Sequence, residues 1–167
     1  LLLAHDINLF AYHLPLDAQP EFGNNAQLGA RLGLVAQSRF GDQDLGFVGE
    51  RSGGGAFADA KALASHIDSA LRVTSRWIDG GRTPIRRIAW CTGGAQGYFE
   101  AAIAAGADAF ITGELSEPQA HYARECGVTF IACGHHASER YGAPATAAHV
   151  AAQLGVEHQF IEIDNPA

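Results

Sequence analysis

The sequence predicts an α/β fold, a mixed and mostly parallel sheet covered by helices. Two observations carry the prediction: from Ile85 onwards short apolar runs alternate with helical stretches, and the connections between them are short, as βαβ units require. The size agrees, because 167 residues with 47% hydrophobic and 17% charged content can bury a core without disulfides or metals as staples.

The alternating half reads element by element. "IRRIAWCT" is a strand, and "GAQGYFEAAIAAG" an Ala-rich helix with Phe99, Ala102 and Ile103 at helical spacing and Gly106 as its stop. "ADAFITGE" is a second strand. "SEPQAHYAREC" is a helix, with Ser116 as N-cap, Pro118 in its first turn and Gly127 beyond its end. "VTFIAC" is a third strand, "HHASERYGAPATAAHVAAQLG" a helix interrupted near Gly142 and Pro144, and "EHQFIEI" a last strand.

The first half is less regular. "INLFAYH" reads as a strand, and "NNAQLGARLGLV" as a helix capped by Asn24 or Asn25. "DLGFVGE" reads as a short strand, residues 53–55 as a loop, and "FADAKALASHIDSALRV" as a helix with Leu63, Ile67, Ala70 and Leu71 on one face. The chain opens on Leu1, contains no methionine and enters at once what reads as the last turn of a helix, so we expect a preceding segment.

Charge and cysteine content narrow the function classes. With 11 Lys+Arg against 18 Asp+Glu the net charge is -7, which argues against general nucleic-acid binding. The cluster Arg82, Arg86 and Arg87 reads as the solvated lead-in to a strand. No apolar run approaches the roughly 18 residues of a membrane span. Cys91, Cys126 and Cys133 lack C-x-x-C spacing and edge apolar runs, so they read as buried free thiols in a reducing, cytoplasmic setting.

In open α/β sheets ligands gather beyond the carboxyl ends of strands, and four polar places qualify: Asp17, the "TGG" after Cys91, Glu114 and the His135-His136 pair. His135 and Glu139 are four residues apart, so on a helix an imidazole and a carboxylate converge either on a cation or on each other. His136 is turned away by one helical step, towards substrate or solvent. Asp17 sits in a loop bounded by Pro15 and Pro20 with His13 four residues before it, as a ligand, an Asx-turn or a cap. Glu114 reads equally as a general base, a partner orienting a ligand histidine or the first acidic residue of the next helix. The glycines of "WCTGGAQG" serve either phosphate oxygens or helix packing, for the run completes neither a P-loop nor G-x-G-x-x-G.

Taken in order, "HLPLDAQPEFGNNAQLG", "IRRIAWCTGGAQ", "GADAFITGELSE", "GHHASER" and "IEIDNPA" resemble the YbgI-like dinuclear metal-centre family, also called the GTP cyclohydrolase 1 type 2 family. The resemblance implies two interlinked α/β lobes, a toroidal homohexamer and two adjacent divalent ions, zinc, iron or manganese, facing an internal cavity. It assigns Asp17, His135 and Glu139 as metal ligands. It leaves Glu114, His136 and His13 as orienting or proton-transfer candidates.

The same resemblance exposes a departure. The family's amino-terminal His-His pair has no counterpart, since His5 stands alone, so the first lobe is expected to be incomplete and the chain to hold one ion or none. The lobes divide as residues 1–36, a remnant of the first lobe with the Asp17 loop; 37–135, the second lobe; and 136–167, a helix and strand returning to the first. The implied function is a metal-dependent hydrolase acting on GTP or a related nucleotide. The alternative is a non-catalytic metal-binding or scaffold protein that forms a ring.

Overall fold

A computed structural model describes residues 1–163 and 165. Among the described residues six strands form one sheet: β1 (Leu34–Phe40), β2 (Gly46–Arg51), β3 (Arg76–Ile78), β4 (Ile88–Trp90), β5 (Ala109–Thr112) and β6 (Thr129–Ala132), in the order β1-β2-β4-β5-β6-β3. Seven α-helices among the described residues accompany them: α1 (Leu14–Ala18), α2 (Asn24–Arg31), α3 (Ala60–Leu71), α4 (Phe99–Ala104), α5 (Glu117–Cys126), α6 (His135–Glu139) and α7 (Gly142–Leu154).

The mixed α/β class holds, and the parallel pairing lies where the β-α repeat placed it. Strands β4, β5 and β6 run parallel, joined by crossovers through α4 and α5. The pairings of β1 with β2, β2 with β4 and β3 with β6 are antiparallel. The parallel heart is therefore flanked by antiparallel edges that the sequence pattern did not reveal.

The pleat divides the core in two. Ile88, Trp90, Ile111 and Ile131 face one side, where they meet Leu28 of α2 and Leu63 and Ile67 of α3. Ala89, Phe110 and Phe130 face the other, against Phe99 and Ala102 of α4 and Ala123 of α5. Successive residues of each strand thus feed opposite layers, as a period of two demands of a sheet covered on both faces. Phe99, Phe110 and Phe130 meet at ring-centroid distances of 4.9–5.9 Å.

Local signals explain the helix ends. Ser116 caps α5 in a capping box with Gln119, whose side chain accepts the Ser116 N–H at 3.1 Å, and Gly127 closes the helix. Asp59 caps α3 by accepting the Ala62 N–H at 2.7 Å. The long C-terminal helix breaks between Glu139 and Gly142 into α6 and α7, near the predicted interruption.

Several expectations are corrected. "INLFAYH" and "EHQFIEI" form no strand, because no neighbouring strand takes up their backbone groups. Their side chains are open to solvent, with Phe10 77% and Ile163 71% exposed. The helix predicted over 24–35 stops at Arg31 and its last two residues open β1, with Gly23 rather than an asparagine as N-cap. Asp17 lies in the short helix α1, not in a loop. Cys91 and Cys133 are buried, but Cys126 is exposed. Asp164, Pro166 and Ala167 of the terminal "IEIDNPA" motif lie outside the described residues. No helix among the described residues is long and apolar enough to cross a membrane.

Candidate metal centre

The three parallel strands deliver the site from their carboxyl ends. After β4 come Cys91, Thr92 and Gly93; after β5, Gly113 and Glu114; after β6, Cys133, Gly134 and His135. Backbone bonds stitch the three exits together: Gly113 N–H donates to the Gly93 carbonyl (2.9 Å) and Gly134 N–H to the Gly113 carbonyl (3.0 Å). Ser138, fully buried in α6, accepts the Gly93 N–H (2.9 Å) and donates to the His135 carbonyl (2.9 Å). The turn carrying His135 is therefore fixed to the end of β4.

His135 lies between two carboxylates. Its Nδ1 is 2.6 Å from Glu114 Oε1 and its Nε2 3.1 Å from Glu139 Oε2. The hydrogen bond to Glu114 raises the His135 pKa and, reciprocally, lowers that of Glu114. At Glu139 burial prevails: desolvation raises its pKa, the His135 charge opposes this, and the negative charge of Asp17 adds to the rise. Gly93 leaves the room this pair needs, since a Cβ there would collide with Glu139 Oε1 and come within 3.1 Å of His135 Nε2.

Asp17 is 7% exposed, and its charge acts on Glu139. Asn24 Nδ2 donates to its Oδ1 (2.8 Å), and Asn25 Nδ2 to its main-chain carbonyl (3.1 Å). Asn25 is wholly buried, also donates to the Leu45 carbonyl and accepts the Thr92 N–H at 2.9 Å, and its own carbonyl accepts Trp90 Nε1–H at 2.8 Å. That network anchors the Asp17 helix to the end of β4.

Of the predicted site residues, the structure joins His135, Glu139 and Glu114 directly and couples Asp17 and His13 to Glu139 through their charges. His136 lines a cavity of about 510 Å³ with Glu114, His135, Glu139, Arg140 and Asn165, and its Nε2 is buried without a hydrogen-bond partner among the described residues. No group of three or more His, Cys, Asp or Glu side chains among the described residues is arranged as a metal cage, the Glu114–His135–Glu139 trio included.

The donors nevertheless suit a hard or borderline cation. A metal-binding histidine commonly donates its other ring N–H to a carboxylate, the relation Glu114 bears to His135. Burial pushes the Cys91 and Cys133 thiols up to about 12, so thiolate is not on offer. Sequence reasoning missed the work of Asn24, Asn25, Gly93 and Ser138. The asparagines read as caps, and Ser138 carried no signal.

Fold and site together define an α/β protein with an imidazole-carboxylate centre at the carboxyl edge of its parallel strands. The profile of the Duf34/NIF3 family (NGG1p interacting factor 3) matches residues 1–166, and the chain belongs to that family. It is 48% identical to a GTP cyclohydrolase 1 type 2 homolog of Neisseria meningitidis serogroup B, over 99% of this chain and 66% of the relative. A homolog of the same description from Pseudomonas aeruginosa is also 48% identical, with the same coverage. The chain thus spans 66% of the length of these curated relatives. Among solved structures, the protein YbgI, described as of unknown function, superposes with a TM-score of 0.91 at 45% identity, over 99% of this chain and 66% of that one.

Proposed function

We propose that Asp17, His135 and Glu139 are divalent-metal ligands of a metal-dependent hydrolase with a dinuclear centre, to which this chain contributes one ion's ligands. The observation that carries the reading is the Glu114–His135–Glu139 arrangement, with His135 Nδ1 on one carboxylate and Nε2 directed at another. Glu114 fixes the ring orientation and favours the Nδ1–H tautomer, which leaves the Nε2 lone pair facing the Glu139 side of the cavity.

Bound there, a divalent cation supplies Lewis acidity and an acidified water for hydrolysis. His136 and His13 are the proton-transfer candidates around it, His136 on the wall of the same cavity. The relatives' name, GTP cyclohydrolase 1 type 2 homolog, favours a purine nucleotide such as GTP as substrate. We also propose assembly into a ring-shaped homohexamer, on the family resemblance. Free cysteines suit a cytoplasmic setting.

The experiment is to load the full-length protein, with the ligands of both ions present, with zinc, manganese or ferrous iron, add GTP, and follow opening of the imidazole ring by absorbance. The reading predicts turnover that falls by about 100-fold or more in Asp17→Ala, as loss of a metal ligand should cause. Metal uptake with no turnover above the Asp17→Ala control would remove the cyclohydrolase activity and leave a metal-binding scaffold.

A further inference from the structure

We infer that Asn24 is a positioning residue that holds the Asp17 carboxylate in register with the His135-Glu139 pair, an inference that rests on the metal reading above. Asn24 is 8% exposed, and its side chain makes two hydrogen bonds in opposite directions. Nδ2 donates to Asp17 Oδ1 at 2.8 Å, and Oδ1 accepts the Gly142 N–H at 3.0 Å. Gly142 is the first residue of α7, two residues beyond Arg140 and three beyond Glu139. A single amide therefore joins the helix that carries Asp17 to the segment that carries His135 and Glu139.

The orientation of that amide follows from its neighbours. A backbone N–H can only donate, so the Asn24 oxygen must face Gly142; the NH2 is then left for Asp17, whose carboxylate can only accept. The approach is tight, since a Cβ on Gly142 would collide with Asn24 Oδ1 and come within 2.8 Å of the Asn24 main-chain nitrogen. Nor is the side chain spent on its own helix: α2 has Gly23 as N-cap and no side-chain cap bond. Asn25, by contrast, ties the Asp17 backbone to Leu45 just before β2 and to Thr92 just beyond β4 and is a framework residue. Asn24 acts on the carboxylate itself.

The test is Co2+ titration of the metal-free full chain, read by visible absorption and affinity, beside thermal unfolding without metal. Asn24→Ala should weaken Co2+ binding about 10- to 100-fold, the usual loss when a partner of a metal ligand is removed. Asn24→Asp retains the acceptor for Gly142 but sets a second carboxylate against Asp17, so it should remain folded with a lowered unfolding temperature and show an altered cobalt spectrum. A folded Asn24→Ala within about twofold of wild-type affinity overturns the inference. So does an unchanged spectrum in Asn24→Asp, and unfolding of both variants without metal would make Asn24 structural only. Asp17→Ala, run in parallel, separates the two claims. If it binds Co2+ as the wild type does, the metal reading fails and takes this one with it; if it loses binding while a folded Asn24→Ala does not, only the positioning role fails.

Discussion

Asp108 shows how one carboxylate outside the site sustains the sheet that builds it. Its Oδ2 accepts the Arg86 and Arg87 N–H groups, both at 2.9 Å, and its Oδ1 faces Arg82 Nη1 at 3.0 Å. Partial burial pushes its pKa up, but these donors and the Arg82 charge prevail and hold it below the usual range. A depressed folded pKa means stability that is present above the unfolded value of about 3.9 and lost as pH falls through the folded one. Asp108→Ala should therefore cost about 1–3 kcal/mol at neutral pH by urea unfolding, and the difference from wild type should shrink as pH falls below about 4. The arginine cluster that reads as a solvated lead-in thus has a specific acceptor in this residue. At the same scale the His135-Glu139 pair was legible because i, i+4 spacing is a local rule. The bonds of Asn24 and Asn25 span up to 118 positions, and nothing in "NN" announces them.

Gly93 illustrates the same limit for an element, the turn between β4 and α4. The sequence marks a glycine-rich turn but leaves open what the glycines serve. The structure shows Gly93 at φ +71 with its missing side chain replaced by Glu139 and His135. Gly93→Ala should cost about 1–2 kcal/mol from the left-handed backbone alone. It should also weaken metal binding, because Glu139 must move away; equilibrium dialysis together with thermal unfolding separates the two effects. Elements with strong periodicity or caps, α3, α5 and β4 to β6, were legible. Strand β1 was not, because most of "LVAQSRF" is exposed on the sheet edge, and β3 is only three residues long. The runs 7–13 and 157–163 have strand composition, but a strand also needs a neighbour, and periodicity does not report one.

Across the whole molecule, a two-faced sheet fixes the ends of β4, β5 and β6 side by side, and the site is what those ends and the Asp17 helix hold between them. The buried layers explain why the fold class was readable from apolar alternation alone. The site was readable only in part, since α1, α2 and α6 meet through buried polar bonds rather than through a sequence motif. The central claim is that Asp17, His135 and Glu139 are ligands of a single cation in this chain. Its most direct test is metal content by elemental mass spectrometry after incubation with excess zinc or manganese and gel filtration, on wild type, Asp17→Ala and His135→Ala. The account predicts about one equivalent in the wild type and a loss of most of it in each variant. No uptake by the folded wild type, or equal uptake by all three chains, would contradict it.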